Sequence, residues 1–171
     1  VWVAPAGDIS AARPITNDRK RGIRQHFWAY DGTHVLYLQD QGGDENWRLH
    51  GVEIATGTDR DLTPLSGVQA QLIGLSPERP GTVLVGLNDR VPEWHDVYEI
   101  DVATGERKLV LKNEENFAGF FEDLQLVPRL ATRSLADGDE ILRRTHEGWE
   151  RVLQVSQADT LTTGPLAIEQ G

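Results

Sequence analysis

The sequence contains neither cysteine nor methionine, and positive charge is scarce: 17 Lys and Arg stand against 27 Asp and Glu, a formal charge of −10. Without cysteine there is no disulfide framework, no thiolate metal site and no cysteine nucleophile, so folding needs no oxidising compartment and a cytoplasmic setting is the expectation. The acidic balance argues against a partner such as nucleic acid or an anionic membrane, since either would meet an unfavourable average field. Uncharged runs such as Val35-Leu36-Tyr37-Leu38 and Val83-Leu84-Val85-Gly86-Leu87 are far shorter than the roughly 20 residues of a membrane span. No signal or transit pattern starts at Val1. With even an initiator methionine missing, Val1 is expected to be a cut point in a longer chain or a processed end.

What is present is internal repetition. Val52-Glu53-Ile54-Ala55-Thr56-Gly57 and Ile100-Asp101-Val102-Ala103-Thr104-Gly105 are one phrase written twice, 48 residues apart. The same offset lays Val35-Leu36-Tyr37-Leu38-Gln39-Asp40 on Val83-Leu84-Val85-Gly86-Leu87-Asn88. Each unit reads as four short strands: 23–30, 34–40, 47–54 and 58–62, then 70–76, 82–88, 95–102 and 106–111, with turns at Asp31-Gly32, Thr56-Gly57, Pro80-Gly81, Pro92-Glu93 and Thr104-Gly105. Four strands in 48 residues is the arithmetic of a propeller blade. The expected fold is therefore all-β, a partial β-propeller of about three to four four-stranded antiparallel blades, since 171 residues hold only about 3.6 such repeats. The blade units are placed at 1–18, 22–64, 68–112 and 117–156, with a further blade starting over 157–171. Glu114 to Leu124 is the best helix segment, although the spacing of Phe117, Phe120, Phe121 and Leu124 also suits an inner strand with a loop.

Four constellations carry candidate chemistry. In the loop Gly43-Asp44-Glu45-Asn46-Trp47, between the second and third strands, a carboxylate could hold a peptide ammonium, or Asp44 and Asn46 could satisfy turn backbone while Trp47 packs between blades; packing is favoured. Trp94-His95-Asp96 stands at the equivalent place one repeat on. His95 could titrate or ligate metal, but the five histidines, at 26, 34, 50, 95 and 146, are scattered without ligand spacing, so structural or surface roles are expected. Asp137-Gly138-Asp139-Glu140 lacks the alternating oxygens of a calcium loop and reads as a hairpin turn. The basic run Arg19-Lys20-Arg21 with Arg24 reads as a solvated connection or a contact to another domain. No metal or other cofactor is expected.

The stretch Tyr37 to Trp47, with Arg60-Asp61-Leu62-Thr63-Pro64, Val83 to Asn88 and His95-Asp96-Val97-Tyr98, resembles the N-terminal propeller of prolyl oligopeptidase-family serine peptidases, in particular bacterial acylaminoacyl-peptidase and dipeptidyl-peptidase-like members. The resemblance covers Gly22 to Asn113 most clearly, and its most specific element is Gly43 to Trp47. It implies a propeller that caps an α/β-hydrolase catalytic domain in the same parent chain and takes peptide substrate. Asp44, Glu45, Asn46, Trp47, Trp94 and His95 would then contact substrate or the domain interface. The catalytic part has no counterpart in these residues. Of five serines only Ser76 has a glycine two residues before it, and in Gly74-Leu75-Ser76-Pro77-Glu78 the glycine required after the nucleophile is Glu78, while Pro77 lacks the N–H of an oxyanion hole. The expected function is thus the non-catalytic, access-gating part of a peptidase of short peptides. The alternative is a stand-alone propeller interaction module, which without a WD dipeptide is not of the WD-repeat kind. Exposed sheet edges and inter-blade faces lead us to expect self-association of the isolated chain.

Overall fold

The computed structural model describes residues 1–168, and among them there is no α-helix, only strands, turns and one 3₁₀ turn at Ile9–Ala11. No helix is therefore long and apolar enough to cross a membrane. The strands form a two-stranded sheet, β1 (Trp2–Val3) with β2 (Arg13–Pro14), followed by three four-stranded antiparallel sheets. The first contains β3 (Gln25–Trp28), β4 (His34–Gln39), β5 (Arg48–Glu53) and β6 (Asp59–Asp61); the second β7 (Ala70–Leu75), β8 (Thr82–Val91), β9 (Trp94–Asp101) and β10 (Arg107–Leu111). The third contains β11 (Gly119–Glu122), β12 (Pro128–Leu135), β13 (Gly138–Arg144) and β14 (Trp149–Ser156). Each sheet is ordered as in the chain, a meander, which is the construction of a propeller blade.

Alternation along the strands explains why the sheets stack. Leu36 of β4 and Leu84 of β8, one repeat apart, are both fully buried and both point toward the next blade, one into the cluster with Val83 and Val85, the other into the cluster with Phe120, Ala131 and Leu142. Their neighbours Val35 and Val83 point the other way: Val35 packs toward Ile15, Val1 and Val3 beside the β1–β2 sheet, and Val83 toward the first blade. Every blade thus has two apolar faces, and the repeat keeps the same positions on the same face.

The Thr-Gly turns take one conformation twice. Gly57 and Gly105 have φ of 72° and 76°, and their N–H groups donate to the carbonyls of Glu53 and Asp101, both at 2.8 Å. A glycine is needed for that left-handed backbone. Gly138 is needed for a different reason: at φ 144° a Cβ would lie 2.0 Å from the Val155 carbonyl oxygen, so β14 packs beside the start of β13 only because residue 138 is glycine.

Two segments differ from the sequence expectation. In Glu114 to Leu124 the strand alternative holds: β11 runs from Gly119 to Glu122, because Phe117 and Phe120 bury against Trp149 and Leu142 of their own blade and against Leu84 and Val97 of the second blade rather than on one helix face. The further blade expected from 157 shows no strand up to residue 168. Gln157 to Thr163 are tied into turns by hydrogen bonds from the N–H groups of Asp159, Thr162 and Thr163, and Leu161 stands 97% exposed. Residues 169–171 of that expected unit lie outside the described residues.

Because blade stacking rests on these buried positions, Leu84→Ala is expected to lower stability by about 2–5 kcal/mol. Leu109→Ala, on the outer strand with Leu109 40% exposed, is expected to cost less than about 0.5 kcal/mol. Urea unfolding of the two variants checks this; equal losses would contradict the burial pattern.

Candidate functional site

Strand register gathers the candidate residues at one end of the blades. Gln25 opposes Leu38, and Leu38 opposes Leu49, so the start of β3, the end of β4 and the start of β5 lie together. The second blade repeats this with Ala70 opposite Leu87 and Leu87 opposite Asp96. Asp44, Glu45, Asn46, Trp47, Trp94 and His95 therefore share this end, with the loops that enter β3, β7 and β11.

The Asp44 loop is built from its own polar groups. Asp44 Oδ1 accepts from the N–H groups of Gln41 and Asn46 at 3.1 and 3.2 Å, and Oδ2 from the Asn46 amide at 3.3 Å. Desolvation pushes its pKa up, but these hydrogen bonds and the nearby Arg48 charge outweigh that and hold the carboxyl below its usual range. Both oxygens are thus engaged within the turn. Glu45 sits at φ 58°, with its carbonyl accepting from Trp47 N–H and from the Gln69 amide. Trp47 packs against the apolar cluster between the first two blades, and its carbonyl accepts from Ala70 N–H at 2.7 Å. It is a wedge between blades with its indole on a cleft.

A chain of asparagines and carboxylates joins this loop to the rest of the end. The Gln69 N–H donates to Asn88 Oδ1 at 2.6 Å, and the Asn88 amide donates to the Pro92 carbonyl at 2.8 Å. Arg90 grips buried Asp96 with two bonds of 2.7 Å, and Asp96 in turn accepts from Asn113 N–H at 2.8 Å. Asn113 then pins Phe117 through both its backbone N–H and carbonyl. Arg21 belongs to the same device: it donates to Asp40, whose side chain is 1% exposed. This corrects the reading of Arg19 to Arg24 as a solvated connection, since Arg21 is spent on a buried partner that the sequence does not reveal.

Trp94 opens β9 opposite Val91 and is half-buried. His95, the positional equivalent of Trp47, lines the junction of the second and third blades. Its Nε2 is buried with no hydrogen-bond partner, and burial holds its pKa below 6.5, so the ring is neutral at neutral pH. The other histidines go elsewhere. His34 bonds Asp31 at 2.6 Å, His50 stacks on Tyr37 at 4.8 Å, His26 and His146 are exposed, and no group of metal-binding side chains forms among the described residues. Ser76 is buried, donating to the Leu124 carbonyl and accepting from Glu78 N–H, a junction residue and not a nucleophile.

The sequence reading missed two features. One is a cleft of about 840 Å³ between the first two blades, with Arg24, Gln69 and Gln71 on its walls. The other is Glu122, whose carboxylate lies where a Cβ on Gly74 would be, 1.8 Å from Oε1, so that β7 and β11 cross only because residue 74 is glycine. Burial there raises the Glu122 pKa. The 48-residue offset itself was the available signal, since it pairs the wall residues of one junction with those of the next.

Fold and site together define a run of β-propeller blades with loops locked at one end. Over nearly its whole length the chain is similar to part of known dipeptidyl peptidases. It is 46% identical over 167 residues to dipeptidyl aminopeptidase BIII of Pseudoxanthomonas mexicana and 29% identical over 184 residues to dipeptidyl peptidase family member 6 of Caenorhabditis elegans. These alignments take in 96% and 94% of the chain and 24% of each relative, so the chain spans about a quarter of their length. Two solved structures share the fold. TolB from Acinetobacter baumannii matches at TM-score 0.54 and 14% identity over 85% of this chain and 35% of TolB. A puromycin hydrolase mutant complexed with PGG matches at 0.52 and 18% over 80% of this chain and 22% of that one. No protein-family model matches. The resemblance to the propeller region of prolyl oligopeptidase-family peptidases therefore stands.

The orphaned imidazole has a measurable consequence. A histidine with a depressed folded-state pKa contributes stability that is present above its unfolded value of about 6.5 and is lost as pH falls through the folded value. His95→Phe is therefore expected to flatten the loss of stability between pH 7.5 and 5.5, read by urea unfolding at each pH. Identical pH slopes for the two proteins would contradict the buried, neutral ring.

Proposed function

We propose that this chain forms part of the non-catalytic propeller of a serine peptidase that acts on short peptides, and that its role is to limit which substrates reach a separate catalytic domain. The observation that carries this is the 46% identity to a dipeptidyl aminopeptidase across 96% of the chain. A physical argument supports the gating role. The inner strands β3, β7 and β11 are sheet edges held by stacked blades, and the loops at one end are cross-linked through Gln69, Asn88, Asp96 and Asn113. A wall so constrained passes extended chains and excludes folded ones without any moving lid. Within the chain no serine sits in a nucleophile elbow, so the hydrolytic serine belongs to the α/β-hydrolase part of a parent chain.

The test is to express the complete reading frame and compare hydrolysis of a free peptide with that of the same segment inside a folded protein. The longer protein is expected to cleave the free peptide and spare the folded one, and this chain alone to cleave neither. A full reading frame with no hydrolase domain, or one that cleaves nothing, would overturn the peptidase reading and leave an interaction module.

A further inference from the structure

The two inter-blade junctions are built from matching positions and finished differently. At the 48-residue offset Leu38, Trp47, Gln69, Gln71 and Leu72 of the first junction correspond to Gly86, His95, Phe117, Gly119 and Phe120 of the second, and both sets line their clefts. In the second, Phe117 is 3% exposed and packs edge-on against Phe120 and Trp149 at 5.8 and 4.8 Å, leaving about 240 Å³. In the first, glutamine replaces that phenylalanine and about 840 Å³ stays open. An open cleft is therefore not a by-product of the repeat: the chain has a means of plugging the site and does not use it at this junction.

The walls of the open cleft indicate an occupant. Phe27, Leu38, Trp47 and Leu72 supply an apolar floor. The flanking strands β3 and β7 are the free edges of their sheets, so they offer unpaired backbone donors and acceptors to an extended chain. The side-chain amides are held in place: Asn88 fixes the Gln69 backbone, Gln69 donates to the Glu45 carbonyl at 3.2 Å, and Gln71 donates to Gln69 at 3.4 Å. Arg24 lies on the rim, exposed and without an ion pair among the described residues, a cation in a chain of net charge −10. A guanidinium so placed suits a carboxylate.

We propose that the cleft between the first and second blades binds the C-terminal end of an extended peptide, its last apolar side chain on the Trp47 floor and its terminal carboxylate at Arg24. The choice of a peptide as ligand rests on the peptidase-propeller reading; the cleft and its charge do not.

The test titrates the 171-residue chain with acetyl-Ala-Leu-Phe carrying a free carboxylate and with its C-terminal amide, by calorimetry and by amide NMR. The free acid is expected to bind about tenfold more tightly than the amide, shifting the Gln69 and Gln71 side-chain resonances. Arg24→Gln, an exposed change, is expected to erase that difference, and Gln69→Phe, the residue found at the matching position of the second junction, to abolish binding of both. Near-UV circular dichroism checks that Gln69→Phe is folded, and if it is not, the Arg24→Gln comparison decides alone. Failure of both peptides to bind, equal binding of acid and amide, unchanged binding in a folded Gln69→Phe, or concentration-dependent self-association that occupies the cleft instead would each overturn the proposal. A parent protein that hydrolyses peptides while this cleft binds none would overturn the cleft assignment and leave the peptidase reading intact; cleft binding without hydrolysis would do the reverse.

Discussion

A four-stranded sheet that is apolar on both faces has to be covered on both, and at its two inner junctions the chain meets this constraint by stacking one blade on the next, while the β1–β2 side covers the outer face of the first blade. Leu36 and Leu84 on one face, and Val35 and Val83 on the other, are buried to within 2% exposure only because a neighbour is present. Each fully buried Leu or Val is worth roughly 1.5–3 kcal/mol over its exposed state, so the junctions hold most of the stabilisation that a single meander lacks. Close approach follows from the same stacking. Gly74 has no Cβ because the Glu122 side chain occupies that space from the next blade, and Ser76 reaches across to the Leu124 carbonyl.

Stacking fixes the blades but leaves their loops to be ordered by polar groups. The buried carboxylates Asp40, Asp96 and Asp123 have side chains 1%, 3% and 4% exposed, and each is paired with an arginine, Arg21, Arg90 or Arg129. Asp123 also accepts from the N–H groups of Gln125 and Val127. Breaking such a pair by removing the arginine alone would strand a buried charge, so these residues act as fasteners between chain segments. Asp96 lies at one end of the second blade and Asp123 at the opposite end of the third, so both ends of that junction carry a fastener.

The repeat and the four strands per unit were legible because they rest on local patterning: alternation, β-branched residues and the Thr-Gly turns. Even the wedge role favoured for Trp47 followed from its position at a strand start. Glu114 to Leu124 was ambiguous because Phe117, Phe120, Phe121 and Leu124 fit two periods, and the deciding contact, Phe117 with Trp149, spans 32 residues of chain. The Glu122 carboxylate against Gly74 and the cleft beside Gln69 are hidden for a related reason, since each joins segments whose proximity exists only after blades stack, while Arg21 meets Asp40 only once β3 pairs with β4. For Asp44 the favoured alternative, a residue that satisfies turn backbone rather than one that holds an ammonium group, agrees with oxygens that accept from Gln41 and Asn46.

If this chain supplies consecutive blades of a longer propeller that serves a catalytic domain, its last blade needs a neighbour. On the far face of the third blade Phe121 and Leu130 are half-buried and Leu153 is 46% exposed, without a neighbouring sheet among the described residues. An experimentally determined structure of the protein encoded by the complete reading frame tests this most directly. The expected structure has Phe121, Leu130 and Leu153 covered by a further four-stranded blade, with the completed ring over an α/β-hydrolase domain. A structure in which that face meets solvent, or in which no hydrolase domain accompanies the ring, would contradict it.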